Sequence, residues 1–349
     1  MKSDSTSRIS ARQLVILLVC SRTVSVLTSS AFSMAAGARD TVLGLLISVG
    51  AVLLASRIPL RCAITNPVVK TVAKAALAVY FLITGTTSLL SFSVFFQTES
   101  EVVFPVVAIV ALMMLAVLYA LTKGIEGIAR FAFIGAVIFV SVMGFMVMAN
   151  GTRMDITNLA YSSTDWRMGV HNAFADNTLL CPEIPAYFVL KRFVRHQDAH
   201  KYSFALFYSV QALVTGLFTV AQELVFGTLA SIQSYPVYSL AVVGEISIFQ
   251  RLDVLHLAVW CIMSLIKVSV LAAACAVLLR DMLPCRKYLN TGICCAVALG
   301  TLVFPALFSA KPKLPDWIAM GLFVLVIILL TVSCGKSIRE KTAGQKETM

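Results

Sequence analysis

Apolar and polar positions follow one another along this chain in long blocks. Ten apolar runs, at approximately 13–34, 41–58, 72–97, 102–122, 129–149, 168–190, 203–225, 252–279, 289–309 and 315–334, are separated by short polar or basic stretches. A bilayer core of about 30 Å takes about 20 residues of helix. Lipid offers the backbone no hydrogen-bond partners, so runs of this length must cross as helices. The pattern predicts an all-α integral membrane protein of ten transmembrane helices in a single membrane domain, residues 1–349. The longest connections are about 150–167 and 226–251. The second contains Pro236 and an apolar stretch from Tyr235 to Ile248, which reads as a short interfacial helix.

Composition sharpens this picture. Of the 349 residues 59% are hydrophobic and 13% charged, against about 25% charged in soluble chains. Soluble enzymes, nucleic-acid-binding domains and disordered chains are excluded. The net charge of +11 is a topology signal rather than a nucleic-acid footprint. Of the 28 lysines and arginines, 20 fall on the side that carries both termini, six fall on the other, and Arg22 and Lys267 lie within spans. By the positive-inside bias the N- and C-termini are cytoplasmic. Trp166 and Trp317 then start helices at the outer face, and Tyr202 and Tyr288 at the inner one. The nine cysteines form no CxxC pair and no metal-binding spacing with histidine. There is no Ser/His/Asp arrangement, phosphate loop or dinucleotide fingerprint, so neither an enzyme nor a cofactor is indicated.

Ten spans divide into two sets of five, 13–149 (helices 1–5) and 168–334 (helices 6–10). They are flanked by residues 1–12 and 335–349 and joined by an outer loop at 150–167. An odd number per set inverts the second relative to the first, as in a 5+5 inverted-repeat transporter fold of the leucine-transporter kind. In that architecture helices 1 and 6 are discontinuous, and the breaks bind substrate. Polar residues concentrate in these two spans. The first holds Ser21, Arg22, Thr23 and Ser25; the sixth holds Asn172, Phe174, Asp176 and Asn177, followed by Cys181-Pro182-Glu183-Ile184-Pro185. The third span adds Thr84 and Gly85, where close approach by a ligand competes with ordinary helix packing.

Charges within spans are the sharper clue. Arg22 lies roughly 14 Å into its span and Lys267 roughly 20 Å from either end of its own, at 1.5 Å per residue. Lys267 is too deep to snorkel and needs a wet cavity or an acidic partner. The acids within reach by sequence are Asp176 and Glu183, with Glu223 nearer the outer end of the seventh span. A structural ion pair and a ligand- or proton-linked role both remain open.

Three stretches carry a family resemblance. The N-terminal Ile9-Ser10-Ala11-Arg12-Gln13 is similar to an "IS..Q" start of helix one. Gln250-Arg251-Leu252-Asp253, then Trp260 and Lys267-Val268-Ser269, is similar to an "RLE/D…W…K.S" eighth helix. Pro182-Glu183-Ile184-Pro185 resembles an acidic-proline pattern in helix six. Together they resemble the spore germination permease family, the B-type subunit of nutrient germinant receptors, within the amino acid–polyamine–organocation superfamily. The resemblance implies a membrane subunit of a spore nutrient-germinant receptor that binds a small nutrient, an amino acid, and signals germination. It also implies an A-type membrane subunit and a C-type lipoprotein subunit as partners, and the spore inner membrane as location. The alternative is a free-standing proton-coupled amino acid transporter. Ser21-Arg22-Thr23 departs from the small, neutral sequence expected in helix one. In sodium-coupled members of the superfamily, helices one and eight hold sodium. Each like-charge contact costs roughly 4 kcal/mol at 4 Å and an effective dielectric of 20, so Arg22 or Lys267 is expected to replace that ion.

Overall fold

A computed structural model of the chain describes residues 9–28, 37–57, 67–99, 104–160, 166–178, 180–195, 202–233, 235–244, 252–283 and 288–307. Ten α-helices occupy them: α1 (Ala11–Thr28), α2 (Ala38–Arg57), α3 (Pro67–Glu99), α4 (Val106–Ala149), α5 (Trp166–Thr178), α6 (Glu183–Leu190), α7 (Ser203–Phe226), α8 (Pro236–Val243), α9 (Asp253–Arg280) and α10 (Leu289–Leu307). Short 3-10 turns join several of them. Thr71–Glu99, Val106–Ala149, Ser203–Ala230 and Asp253–Arg280 are each long and apolar enough to cross a membrane. The tenth predicted span, 315–334, lies outside the described residues.

Three features bear on the ten predicted spans. Spans four and five follow one another within α4, which Gly124, at φ 77° and ψ −178°, kinks into two helical stretches on either side of it, a conformation open to glycine because it has no Cβ. Span six is interrupted: α5 ends at Thr178 and α6 begins at Glu183. Span one shows no break at Ser21–Ser25, since α1 is helical from Ala11 to Thr28. Hydroxyl side chains are tolerated there by bonding back to their own helix, as the Thr23 hydroxyl does to the Val19 carbonyl at 2.9 Å. The rest of span one, 29–34, lies outside the described residues. The connection 226–251 does contain a helix, α8, which buries Val237, Leu240 and Ala241.

At its start α1 is fixed by a reciprocal cap. The Ser10 N–H donates to Gln13 Oε1 at 2.8 Å, and the Gln13 N–H to Ser10 Oγ at 3.1 Å, so two orphan donors of the first turn are satisfied. Ile9, fully buried, pairs in parallel with Val194 just beyond α6. Its N–H bonds the Phe193 carbonyl, and its carbonyl accepts the Arg195 N–H, both at 3.1 Å.

Helix α9 is the centre of the bundle. From Ile266 to Leu278 it is buried on every side, as a helix apolar all round must be. It packs on α1, α3, α4 and α10. A close crossing joins α2 to α5, where a Cβ at Gly44 would lie 2.7 Å from the Val170 carbonyl oxygen. At the end of α9, Asp281 takes Lys74 of α3 at 3.0 Å and Arg192 at 3.1 Å. Arg192 also donates to the Val277 carbonyl at 3.2 Å.

Candidate functional site

The interruption of the sixth span lies against α1, α7 and α9, and it gathers the buried charges. Glu183, the first residue of α6, is fully buried. Its Oε1 lies 3.3 Å from Lys267 Nζ of α9 and accepts the Ser21 hydroxyl of α1 at 2.8 Å. Its Oε2 accepts the Cys181 thiol at 3.5 Å. Lys267 also donates to Ser25 Oγ. Of the acids open to Lys267 by sequence, Glu183 is therefore the partner. Glu223 is engaged elsewhere, its carboxylate accepting the Ala38 N–H at the start of α2.

Arg22 is 4% exposed. Its Nη2 donates to the Asp176 carbonyl at 2.8 Å, near the C-terminus of α5, where a cation also complements the helix dipole. Its Nε is buried without a hydrogen-bond partner among the described residues. Asn177 is committed to structure. Its Nδ2 donates to Ser48 Oγ at 2.7 Å and to the Tyr208 hydroxyl at 3.2 Å, and its Oδ1 accepts Gln211 Nε2 at 3.2 Å. The Tyr208 hydroxyl in turn donates to the Asn177 carbonyl at 3.0 Å.

A broken helix usually exposes N–H groups that suit an anion. Here that supply is reduced. Leu180, Ile184 and Ala186 N–H groups bond to the Ala175, Cys181 and Pro182 carbonyls, and Pro182 and Pro185 have none to give. Among the described residues, Arg22 Nε is a buried cationic donor left over beside the break.

The cluster thus joins Ser21, Arg22, Glu183 and Lys267, together with the backbone of Asp176. It leaves out other expected residues. The hydroxyl of Thr84 bonds the Tyr80 carbonyl of its own helix at 2.8 Å. Gly85 packs toward Val297 of α10, 3.8 Å from where its Cβ would be, so packing accounts for both. Asn172 and Phe174 are half-buried on α5 ahead of the break. Thr23 bonds within α1. Arg251 lies outside the described residues.

Sequence reasoning missed Ser48, Tyr208 and Gln211 as participants, and it placed Ser25 in the polar centre of span one without giving it a role. Ser21 and Ser25, four apart, share one helix face, and that spacing was the available signal. Ser48, Tyr208 and Gln211 are polar residues inside apolar runs, with nothing to single them out.

No curated protein matches the chain. The sequence model of the spore germination protein family matches residues 72–308, which include Glu183, Trp260 and Lys267 and exclude Ser21 and Arg22. That match spans more than half of the chain, and with the apolar helices it makes this membrane protein a member of the spore germination permease family.

Proposed function

We propose that the chain is the membrane subunit of a spore nutrient-germinant receptor that binds an amino acid at the interruption of the sixth span. The observation that carries this reading is the buried charge cluster of Arg22, Glu183 and Lys267 beside that interruption. Intramembrane Lys and Arg cost about 2.5–3.5 kcal/mol each on insertion scales, and charges kept at that cost mark functional sites by default. In this reading the ligand carboxylate docks on Arg22 Nε. Binding shifts a two-state equilibrium by its differential affinity for the two states, and an A-type membrane subunit and a C-type lipoprotein subunit read the change. The ten spans form a 5+5 inverted repeat with both termini on the spore core side of the inner membrane. Lys267 takes the place of a coupling cation between α1 and α9.

A binding screen of amino acids and nucleosides on purified protein tests the proposal. One amino acid is expected to bind saturably, Arg22→Ala to weaken it by about tenfold or more, the loss of one charged hydrogen bond, and exchange of sodium for choline to leave Kd unchanged. Arg22→Ala binding as tightly as wild type removes the arginine from the site. Affinity that rises with sodium refutes the cation-replacement role of Lys267. No saturable binding of any amino acid overturns the reading, and proton-driven uptake into vesicles would replace it with a transporter.

A further inference from the structure

Helix α9 carries a second polar feature, which the ion pair does not use. His256, Trp260, Ser264 and Lys267 follow one another at spacings of four, four and three, so they stand on one face. All four are buried. Both ring nitrogens of His256, the indole Nε1 of Trp260 and Oγ of Ser264 have no hydrogen-bond partner among the described residues. More than nine in ten buried polar groups in folded proteins are paired. Four atoms left over in a line, with the line ending at Lys267, point to a common occupant.

We propose that this face binds a file of water molecules running from the Asp253 end of α9 to Lys267 Nζ. The 11 helical steps from His256 to Lys267 span about 16 Å, which about six waters bridge at hydrogen-bonding distance. Water suits the donor set because each molecule both donates and accepts. It can serve an indole N–H, a hydroxyl and an imidazole that needs one donor and one acceptor. The file gives the buried Lys267–Glu183 pair its contact with solution at the end that the charge distribution predicts to face outward. The proposed function enters only as the reason why that contact matters.

Millisecond hydroxyl-radical footprinting of the protein in lipid nanodiscs, without nutrient, tests the proposal, because radicals formed from bound water label the side chains beside it. Phe207 is the internal control. It is 0% exposed, like Trp260, and lies on α7, in ring contact with Tyr187 and Phe204 and away from the face of α9. Trp260 and His256 are expected to be labelled several-fold faster than Phe207. Ser264→Leu, which fills the file below Trp260, is expected to lower Trp260 labelling. Trp260 labelled no faster than Phe207 in the wild type overturns the proposal, whether or not the variant folds. Fast labelling that persists in a Ser264→Leu protein of normal gel-filtration profile overturns it too. Neither result bears on nutrient binding, which is measured separately.

Discussion

Replacing Lys267 by methionine removes the ammonium and keeps an unbranched stem in the same space. Glu183 then loses an ion-pair partner held at 3.3 Å in a setting where the two side chains are 4% and 0% exposed. Removing one member of a buried pair costs about 3–5 kcal/mol, because the survivor keeps its charge without compensation. With an unfolding entropy of roughly 2.1 cal/mol/K per residue, that loss lowers the midpoint of a chain this long by about 4–7 °C. Lys267→Met/Glu183→Gln removes both charges and keeps an acceptor for the Ser21 hydroxyl. It is expected to recover at least half of the loss. Thermal unfolding followed by fluorescence-detected gel filtration, over wild type, both single variants and the double variant, closes the cycle. A Lys267→Met midpoint within about 1 °C of wild type, below a 1 kcal/mol effect, refutes the reasoning. So does a double variant whose loss equals the two single losses added together, which would mean no coupling.

Three further outcomes are expected. Gly124→Ala places a Cβ at φ 77° and ψ −178°, a region nearly confined to glycine, and is expected to cost about 1–3 kcal/mol, seen as a lower unfolding midpoint; Gly50→Ala, where a Cβ meets open space, serves as the control. Ser10→Ala removes one half of the cap on α1 and is expected to cost about 1 kcal/mol, with faster proteolysis near the N-terminus as the readout. Burial raises the Asp281 pKa, but the hydrogen bond from Lys74 and the charges of Arg192 and Lys74 outweigh it and hold the carboxyl below its ordinary value. Its contribution is therefore complete above the unfolded value of about 3.9 and is lost as pH falls through the lower folded value. A midpoint series from pH 7 to pH 3 is expected to show this as a loss of at most about 1 kcal/mol for so exposed a pair, absent in Asp281→Asn.

Much of the helical architecture was legible because lipid leaves few options. The runs at 203–225, 252–279 and 289–309 became α7, α9 and α10 within a few residues. The interruption of span six was legible too, since Pro182 and Pro185 withdraw donors where polar residues cluster. Ser21, Thr23 and Ser25 do not break span one where they stand, because a hydroxyl can bond its own helix and leave it intact over Ala11–Thr28. The "IS..Q" pattern could be matched as a motif but not understood from spacing alone. Its Ser10 and Gln13 cap α1, and its Ile9 reaches across to Val194. The choice of Glu183 for Lys267 depends on how α6 lies beside α9, which no local pattern encodes.

The pairing of Ile9 with Val194 makes α1 and α6 a single lever. They are tied at one end by two backbone bonds and again near mid-span by Ser21 and Glu183. Two anchor points leave little room for one helix to pivot on the other. Any rearrangement at the interruption must then swing the pair together against α9, so a pull applied to the first residues of α1 would be felt at Glu183.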